Sequence, residues 1–262
     1  MNTIDLEELG RNFRERYDMP TPLFSDGPHT VYWLGWPEDT AFRCNAYLIA
    51  DGDEALIVDP GGVSSFGFIL NRVSQITDPL KVTAMILSHQ DPDVAACMVN
   101  WLDLNPQIRI ITSVRTNLLL PHYGRSDYEF ININEYPDFT FSSGRKVRFI
   151  ESPFLHFPGA FTSFDETSGF LLSGDIWAAI DMDWHLVVSD FRNHELKLNL
   201  FHLDYMAGNV AAKGFLSRIR SLDIKAILPQ HGSIIPERFV AKAKHYLSEL
   251  RCGTDLIYPD LR

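Results

Sequence analysis

Cysteine is scarce in this 262-residue chain: Cys44, Cys97 and Cys252 are odd in number, widely spaced and without a C-x-x-C pair. That excludes a disulfide scaffold and fits reduced thiols in a reducing compartment, each read as a small buried hydrophobe. Long apolar runs are missing as well. The longest, such as Val94–Val99, fall far short of the roughly 18–20 residues that span a bilayer, so no membrane association is expected. The N-terminal stretch from Met1 to Pro20 is charged throughout and holds no apolar core of signal-peptide type, which predicts a cytoplasmic protein. Positive charge is the third shortage. Lys+Arg number 23 against 34 Asp+Glu, a net charge of −11. Such a field repels a phosphate backbone, and no Lys/Arg cluster forms a basic stripe, so a nucleic-acid polymer is excluded as a partner. A single phosphodiester drawn to a bound metal remains compatible, because the metal supplies its own field.

What is present is an ordinary globular composition, 45% hydrophobic and 22% charged, in a chain long enough to bury a large core. No linker, repeat or charge block divides it, so one domain over residues 1–262 is expected. Strands are predicted at Thr30–Trp36, Asn45–Ala50 and Glu54–Val58, with Asp51-Gly52-Asp53 as a turn between the last two. Apolar spacing predicts a helix over Ser64–Gln75, then a buried strand over Thr83–Leu87 and a helix capped by Asp93 that runs to Leu102. Further on come a strand at Ile108–Thr112, a short helix at Ser113–Leu120, and two or three antiparallel strands between Tyr128 and Ile150. A strand at Gly169–Leu172, one long helix from Leu203 to Ser221, a strand at Lys225–Leu228 and a helix over Pro236–Leu250 complete a layered α/β pattern.

Polar residues recur where predicted strands end: Asp59, His89, Asp91, Asp93, Asp175 and His231, with His156 after a β-like stretch. A rigid scaffold presents functional groups from such loops. A single loop His or Asp is usually a turn former. His89-x-Asp91-x-Asp93 is different, since three donors at alternate positions after a buried strand exceed what a turn needs. Clustered imidazole and carboxylate is metal-ligand chemistry and suits several first-row metals.

Five segments, taken together, resemble the motifs of the metallo-β-lactamase superfamily, in the family's order. They are Ile57-Val58-Asp59-Pro60-Gly61, Leu87-Ser88-His89-Gln90-Asp91-Pro92-Asp93, His156-Phe157-Pro158-Gly159, Ser173-Gly174-Asp175 and Gln230-His231-Gly232. The branch they are most similar to is the diiron module of flavodiiron proteins and of stand-alone oxygen-binding diiron proteins, where H-x-[E/D]-x-D replaces the hydrolases' H-x-H-x-D-H. The resemblance implies an αββα sandwich with metals at one edge. It implies that His89, Asp91 and His156 bind one metal, Asp93 and His231 the other, and that Asp175 bridges them. Asp59 matches the family's structural aspartate. Tyr205 matches a tyrosine-containing segment near the metals and is expected behind the ligands or as a helix-start packing residue. The chain departs from the pattern at Asp91, where Glu is more common, and at Val94, where many relatives keep a His. Val94 would leave the second metal short of ligands and line it with apolar surface.

Three imidazoles and three carboxylates carry about −3, which offsets the charge of a metal pair cycling upward in oxidation state. Carboxylate-rich shells favour hard ions, so two irons are expected, with manganese or zinc as the other candidates. His29, His122, His185, His194, His202 and His245 lie outside the motifs and are read as surface or hydrogen-bonded core residues. Phe154, Phe157, Phe161 and Phe164 crowd the sequence around His156 and are read as core packing. Only 31 residues follow His231 and none forms a flavin phosphate loop, so no flavodoxin domain is expected. Binding of dioxygen or a related diatomic, for sensing or slow reduction, is therefore the leading expectation. An external electron donor or signalling partner and a homodimer go with it. The alternative is a metal-dependent hydrolase acting on a phosphodiester such as a cyclic dinucleotide. Arg115, Arg125 and Arg192 could reach the rim for that purpose, although each reads as a solvated surface residue.

Overall fold

Gly52 sets the first register. Its φ of +61° is open to glycine without strain, and it lets β3 (Ala46–Asp51) turn within two residues into β4 (Glu54–Val58), pairing Asp51 with Glu54. In a computed structural model, which describes residues 4–11, 19–35, 40–182 and 185–260, this hairpin forms the middle of a seven-stranded sheet. β1 (Thr21–Asp26) and β2 (His29–Gly35) extend it antiparallel, while β5 (Val82–Ile86), β6 (Arg109–Thr112) and β7 (Phe130–Asn132) extend it parallel. The second sheet holds β8 (Asp138–Thr140), β9 (Lys146–Glu151), β10 (Phe161–Asp165), β11 (Phe170–Gly174), β12 (Ala226–Pro229) and β13 (Ile235–Pro236), in the order β13-β12-β11-β10-β9-β8.

Alternation along the strands builds the layers. On β4, Leu56 and Val58 join the apolar cluster between the sheets, against Phe149, Phe161 and Leu172. Ala55 and Ile57 join a second cluster with Val94, Met98 and Trp101. That cluster is covered by α1's successors in the first half: α2 (Phe66–Ser74), α3 (Pro92–Ala95) and α4 (Met98–Leu104); α1 itself is Leu6–Arg11. The outer face of the second sheet packs Leu171 and Ile227 against Leu198, Phe201, Phe215 and Leu247. Those come from α6 (Phe191–Tyr205), α7 (Asn209–Arg218) and α8 (Glu237–Glu249), which follow the short α5 (Val114–Asn117) and precede α9 (Thr254–Ile257). The result is the αββα sandwich. Strands covered on both faces read as continuous apolar runs, which is why β4 and β5 are plain in the sequence. No described helix is long and apolar enough to cross a membrane.

Two helix expectations need correction. The long helix over Leu203–Ser221 is two helices, because Gly208 is fully extended between them. Its first member begins at Phe191, and its buried face (Phe191, His194, Leu198, Phe201 and His202) is disguised by two histidines. The helix expected to be capped by Asp93 starts at Pro92 with Asp91 as its cap, and it breaks at Cys97 before α4. Of the two or three antiparallel strands expected between Tyr128 and Ile150, two form as such, β8 and β9, while β7 runs parallel to β6 in the first sheet. β1, β10 and β13 carry no clear sequence signal. Trp36, the last residue of the first expected strand, lies outside the described residues.

Candidate metal centre

The parallel pairs β4–β5 and β11–β12 point their C-terminal ends at the same edge of the sandwich, and the polar motif residues sit in the loops that leave them, except His156, which sits in the loop that leaves β9 at that edge. All six residues singled out in the sequence come together there. His89, Asp91, His156 and Asp175 form one group, and Asp93 and His231 form a second together with Cys44. In the first group His156 Nε2 lies 2.8 Å and His89 Nε2 3.3 Å from Asp175 Oδ2. Asp91 Oδ2 lies 3.5 Å from His156 Nε2 and 3.7 Å from His89 Nε2. In the second, His231 Nε2 is 3.3 Å from Asp93 Oδ2 and 3.5 Å from the other Asp175 oxygen, Oδ1. Asp175, only 4% exposed, therefore gives one oxygen to each group.

Neighbouring groups fix how the imidazoles face. Asp59, held in the left-handed region at φ +49°, accepts the Ser88 N–H at 2.8 Å and the Ser88 hydroxyl at 2.9 Å. With its proton committed to Asp59, Ser88 Oγ accepts from His89 Nδ1 at 3.0 Å, leaving Nε2 aimed into the group. His231 Nδ1 donates to the Arg43 carbonyl at 3.0 Å, with the same consequence for its Nε2. The loop carrying His156 is clamped by Ser113, the N-cap of α5, whose hydroxyl donates to the Gly159 carbonyl at 2.7 Å.

Electrostatics at this edge favour a cation. Burial works against charge on His89, yet Asp175 and Asp91 hold its pKa well above the imidazole range, and His156 is raised for the same reason. Burial would raise Asp91, but His156 and His89 bring it down to about 2. Asp175 is held well below the carboxylate range against its burial by His89, His156 and His231. Asp59, buried, is pushed up to about 6. His89 Nε2 and Asp175 Oδ1 are nonetheless buried without a hydrogen-bond partner. Orphaned donor atoms of this kind, one on an imidazole and one on a carboxylate, are what a metal would satisfy.

The surroundings are aromatic. Phe42 stacks on His231 with centroids 3.7 Å apart, Phe157 lies 4.3 Å from His156, and Phe201 approaches both histidines at 6.2 and 5.8 Å. Tyr205 is the last residue of α6, not at a helix start; it stacks on Phe201 at 4.6 Å with its ring 5.9 Å from His156. Of the phenylalanines near His156 in sequence, Phe161 and Phe164 serve the cores on opposite faces of β10, Phe154 is exposed, and Phe157 faces the histidines. Val94 is packed in the cluster under the first sheet, and the side chain beside Asp93 is Cys44. Arg125 is engaged by Asp103 and Asp127, while Arg115 donates to the Pro158 carbonyl at 3.4 Å.

Sequence reasoning passed over Phe42 and Phe201, read Cys44 only as a buried hydrophobe, and read His202 as a surface or hydrogen-bonded core residue, the second of which it is. His202 donates from Nδ1 to the Leu198 carbonyl and accepts the Trp177 N–H at 2.9 Å, which holds the turn just after Asp175. Burial pushes its pKa down to about 4, as a neutral ring in that role requires. Nothing local in the sequence marks these residues, because their partners lie far away along the chain.

A two-sheet sandwich with paired His/carboxylate groups at the C-terminal strand edge defines a protein of metallo-β-lactamase fold. This chain belongs to the family described as "ODP family beta lactamase", which it matches over residues 42–232. It is similar to the apo state of chemotaxis sensor ODP from T. denticola, with 33% identity and a TM-score of 0.83, covering 92% of this chain and 98% of that one. The structure described as the peroxy diiron species of chemotaxis sensor ODP gives 32% identity and a TM-score of 0.81 over 92% and 99% of the two chains. Diflavin flavoprotein A 1 of Synechocystis sp. is 22% identical over 73% of this chain and 34% of its own length. The chain spans from under a third to just over half the length of the curated relatives it matches, 29% and 56% in two instances.

Proposed function

We propose that the two groups hold a pair of iron ions and that the protein binds dioxygen there, sensing it or reducing it slowly. The observation that carries this reading is Asp175, whose two oxygens address two separate clusters of donors, as a carboxylate shared between two ions does. Asp91, Asp93 and Asp175 make the shell rich in hard oxygen, which favours iron or manganese over zinc. A reduced iron pair supplies the electrons for dioxygen chemistry; the protein supplies coordination, orientation and exclusion of water. Ser88 and the Arg43 carbonyl keep His89 and His231 in the ligating tautomer. Phe42, Phe157 and Phe201 present an apolar wall suited to a small neutral molecule. The likeness to a chemotaxis sensor described with a diiron site points the same way. A donor of electrons or a signalling protein outside this domain, and a homodimer, belong to the proposal.

Anaerobic purification followed by metal analysis tests it. Two irons per chain are expected, with a visible charge-transfer band on exposure to dioxygen that decays or reverses on degassing. A stoichiometric zinc pair that persists in iron-fed cells overturns the iron assignment. Turnover of phosphodiesters that depends on Asp91 and His231, without any such band, overturns dioxygen binding in favour of hydrolysis.

A further inference from the structure

Cys44 stands in a position that local chain geometry leaves little freedom to change. It forms an isolated antiparallel bridge with His231. On either side of it, Asn45 N–H donates to the Gln230 carbonyl at 2.6 Å and the Arg43 carbonyl accepts from His231. The Asn45 side chain donates to the carbonyls of Pro229 and Gly232 at 2.9 and 2.8 Å, and accepts from Trp33 Nε1 at 2.8 Å. The bridge thus presents the thiol and the imidazole together, and Cys44 is 7% exposed with Sγ 3.5 Å from Asp93 Oδ2.

Those separations have a coordination reading. An ion about 2.0–2.1 Å from N and O and about 2.3 Å from S, at tetrahedral angles, sets N and O roughly 3.4 Å apart and S and O roughly 3.6 Å apart. The distances are 3.3 Å for His231 Nε2–Asp93 Oδ2 and 3.5 Å for Cys44 Sγ–Asp93 Oδ2. A second feature points to the same ion: Asp175 Oδ1, buried and without a hydrogen-bond partner, lies 3.5 Å from His231 Nε2. Cys97 and Cys252 show the contrast. Cys97 donates to the Pro60 carbonyl at 3.2 Å, and neither it nor Cys252 joins a group of candidate ligands among the described residues.

We propose that Cys44 is a thiolate ligand of the metal held by Asp93 and His231. The inference rests on the two-metal reading above and adds to it that the two positions are chemically unequal. The group of His89, Asp91, His156 and Asp175 offers only nitrogen and oxygen, whereas the other adds a soft sulfur that donates more electron density to its ion and widens the range of metals it retains. Binding releases the thiol proton to solvent; no electron is transferred.

Cobalt(II) is the probe, because a thiolate bound to it absorbs in the near ultraviolet while imidazole and carboxylate leave only weaker visible bands. The full-length chain loaded with two cobalt ions is expected to show the thiolate band. Cys44→Ser is expected to abolish it and to weaken the second cobalt by more than the roughly 10–100-fold that an outer-shell partner costs. Cys97→Ala and Cys252→Ala are expected to retain it. X-ray absorption of the wild-type cobalt protein needs no variant and must show a metal–sulfur distance near 2.3 Å. Two bound cobalt ions without sulfur, or a thiolate band that survives in Cys44→Ser, overturns this inference and leaves the two-metal reading standing. Failure to bind cobalt, iron or zinc at all overturns both.

Discussion

His29 offers the sharpest test of what holds the two sheets together. It is 0% exposed on β2, with Nδ1 3.1 Å from Asp51 Oδ2 on the neighbouring strand and Nε2 3.1 Å from Asp165 Oδ2 at the end of β10 in the other sheet. Both ring nitrogens face carboxylates, an arrangement that favours the doubly protonated imidazolium. Burial opposes that charge, but Asp165 and Asp51 outweigh it and raise the pKa above its usual 6.5. His29→Leu would leave buried Asp165 without a cation and Asp51 with only Arg145, 3.7 Å away, and the Ser143 hydroxyl. Breaking a buried pair in this way costs about 3–5 kcal/mol, a large share of the 5–15 kcal/mol or so that holds a domain folded. At roughly 2–4 °C per kcal/mol for a chain of this size, the melting temperature should fall by roughly 6–20 °C. Urea titration of metal-free protein should show a lower midpoint at unchanged slope. The folded state holds a proton that the unfolded chain releases near pH 6.5. The contribution is therefore complete below that pH and drains away as pH rises through the folded-state value, by up to about 1.4 kcal/mol per pH unit. That decline should vanish in His29→Leu. A variant within 1 kcal/mol or so of wild type, or one with the same alkaline decline, would refute the account.

Three further outcomes concern the metal edge. Asp175→Ala should lose both metals and His231→Ala mainly one, while His122→Ala and His245→Ala keep the full complement; equal loss in all four would mean that unfolding had been mistaken for coordination. His202→Phe removes the acceptor for the Trp177 N–H, and should cost about 1–3 kcal/mol of stability and about 10–100-fold in metal affinity. Isothermal titration giving wild-type affinity would show that the turn after Asp175 holds itself. Gly232→Ala places a methyl 2.7 Å from the Ala179 Cβ at a φ of +87°; a loss above about 2 kcal/mol is expected, and an unchanged melting temperature would contradict it.

The sequence was most informative where one physical demand acted alone. β4 and β5 read as strands because both faces are covered, and His89-x-Asp91-x-Asp93 stood out because turn chemistry does not call for three donors. It was least informative where two demands met in one segment. α6 must bury a face that includes His194 and His202, so its apolar spacing is broken, and the neighbouring helix absorbed its end in the sequence reading. Cys44 was read as a hydrophobe because burial and ligation ask for the same residue, and only the bridge to His231 separates them.

The six motif donors divide evenly along the chain. His89, Asp91 and Asp93 leave the sheet built from residues 21–132, and His156, Asp175 and His231 leave the one built from residues 138–236. Each sheet is assembled from its own continuous stretch of sequence, so each can form early, from local pairings, before the other exists. Neither alone offers a complete donor set. On the proposed two-metal reading, metal capture is thus a late event in the life of each molecule, following the docking of one half on the other. The rate at which a refolding chain takes up metal becomes a clock for that docking.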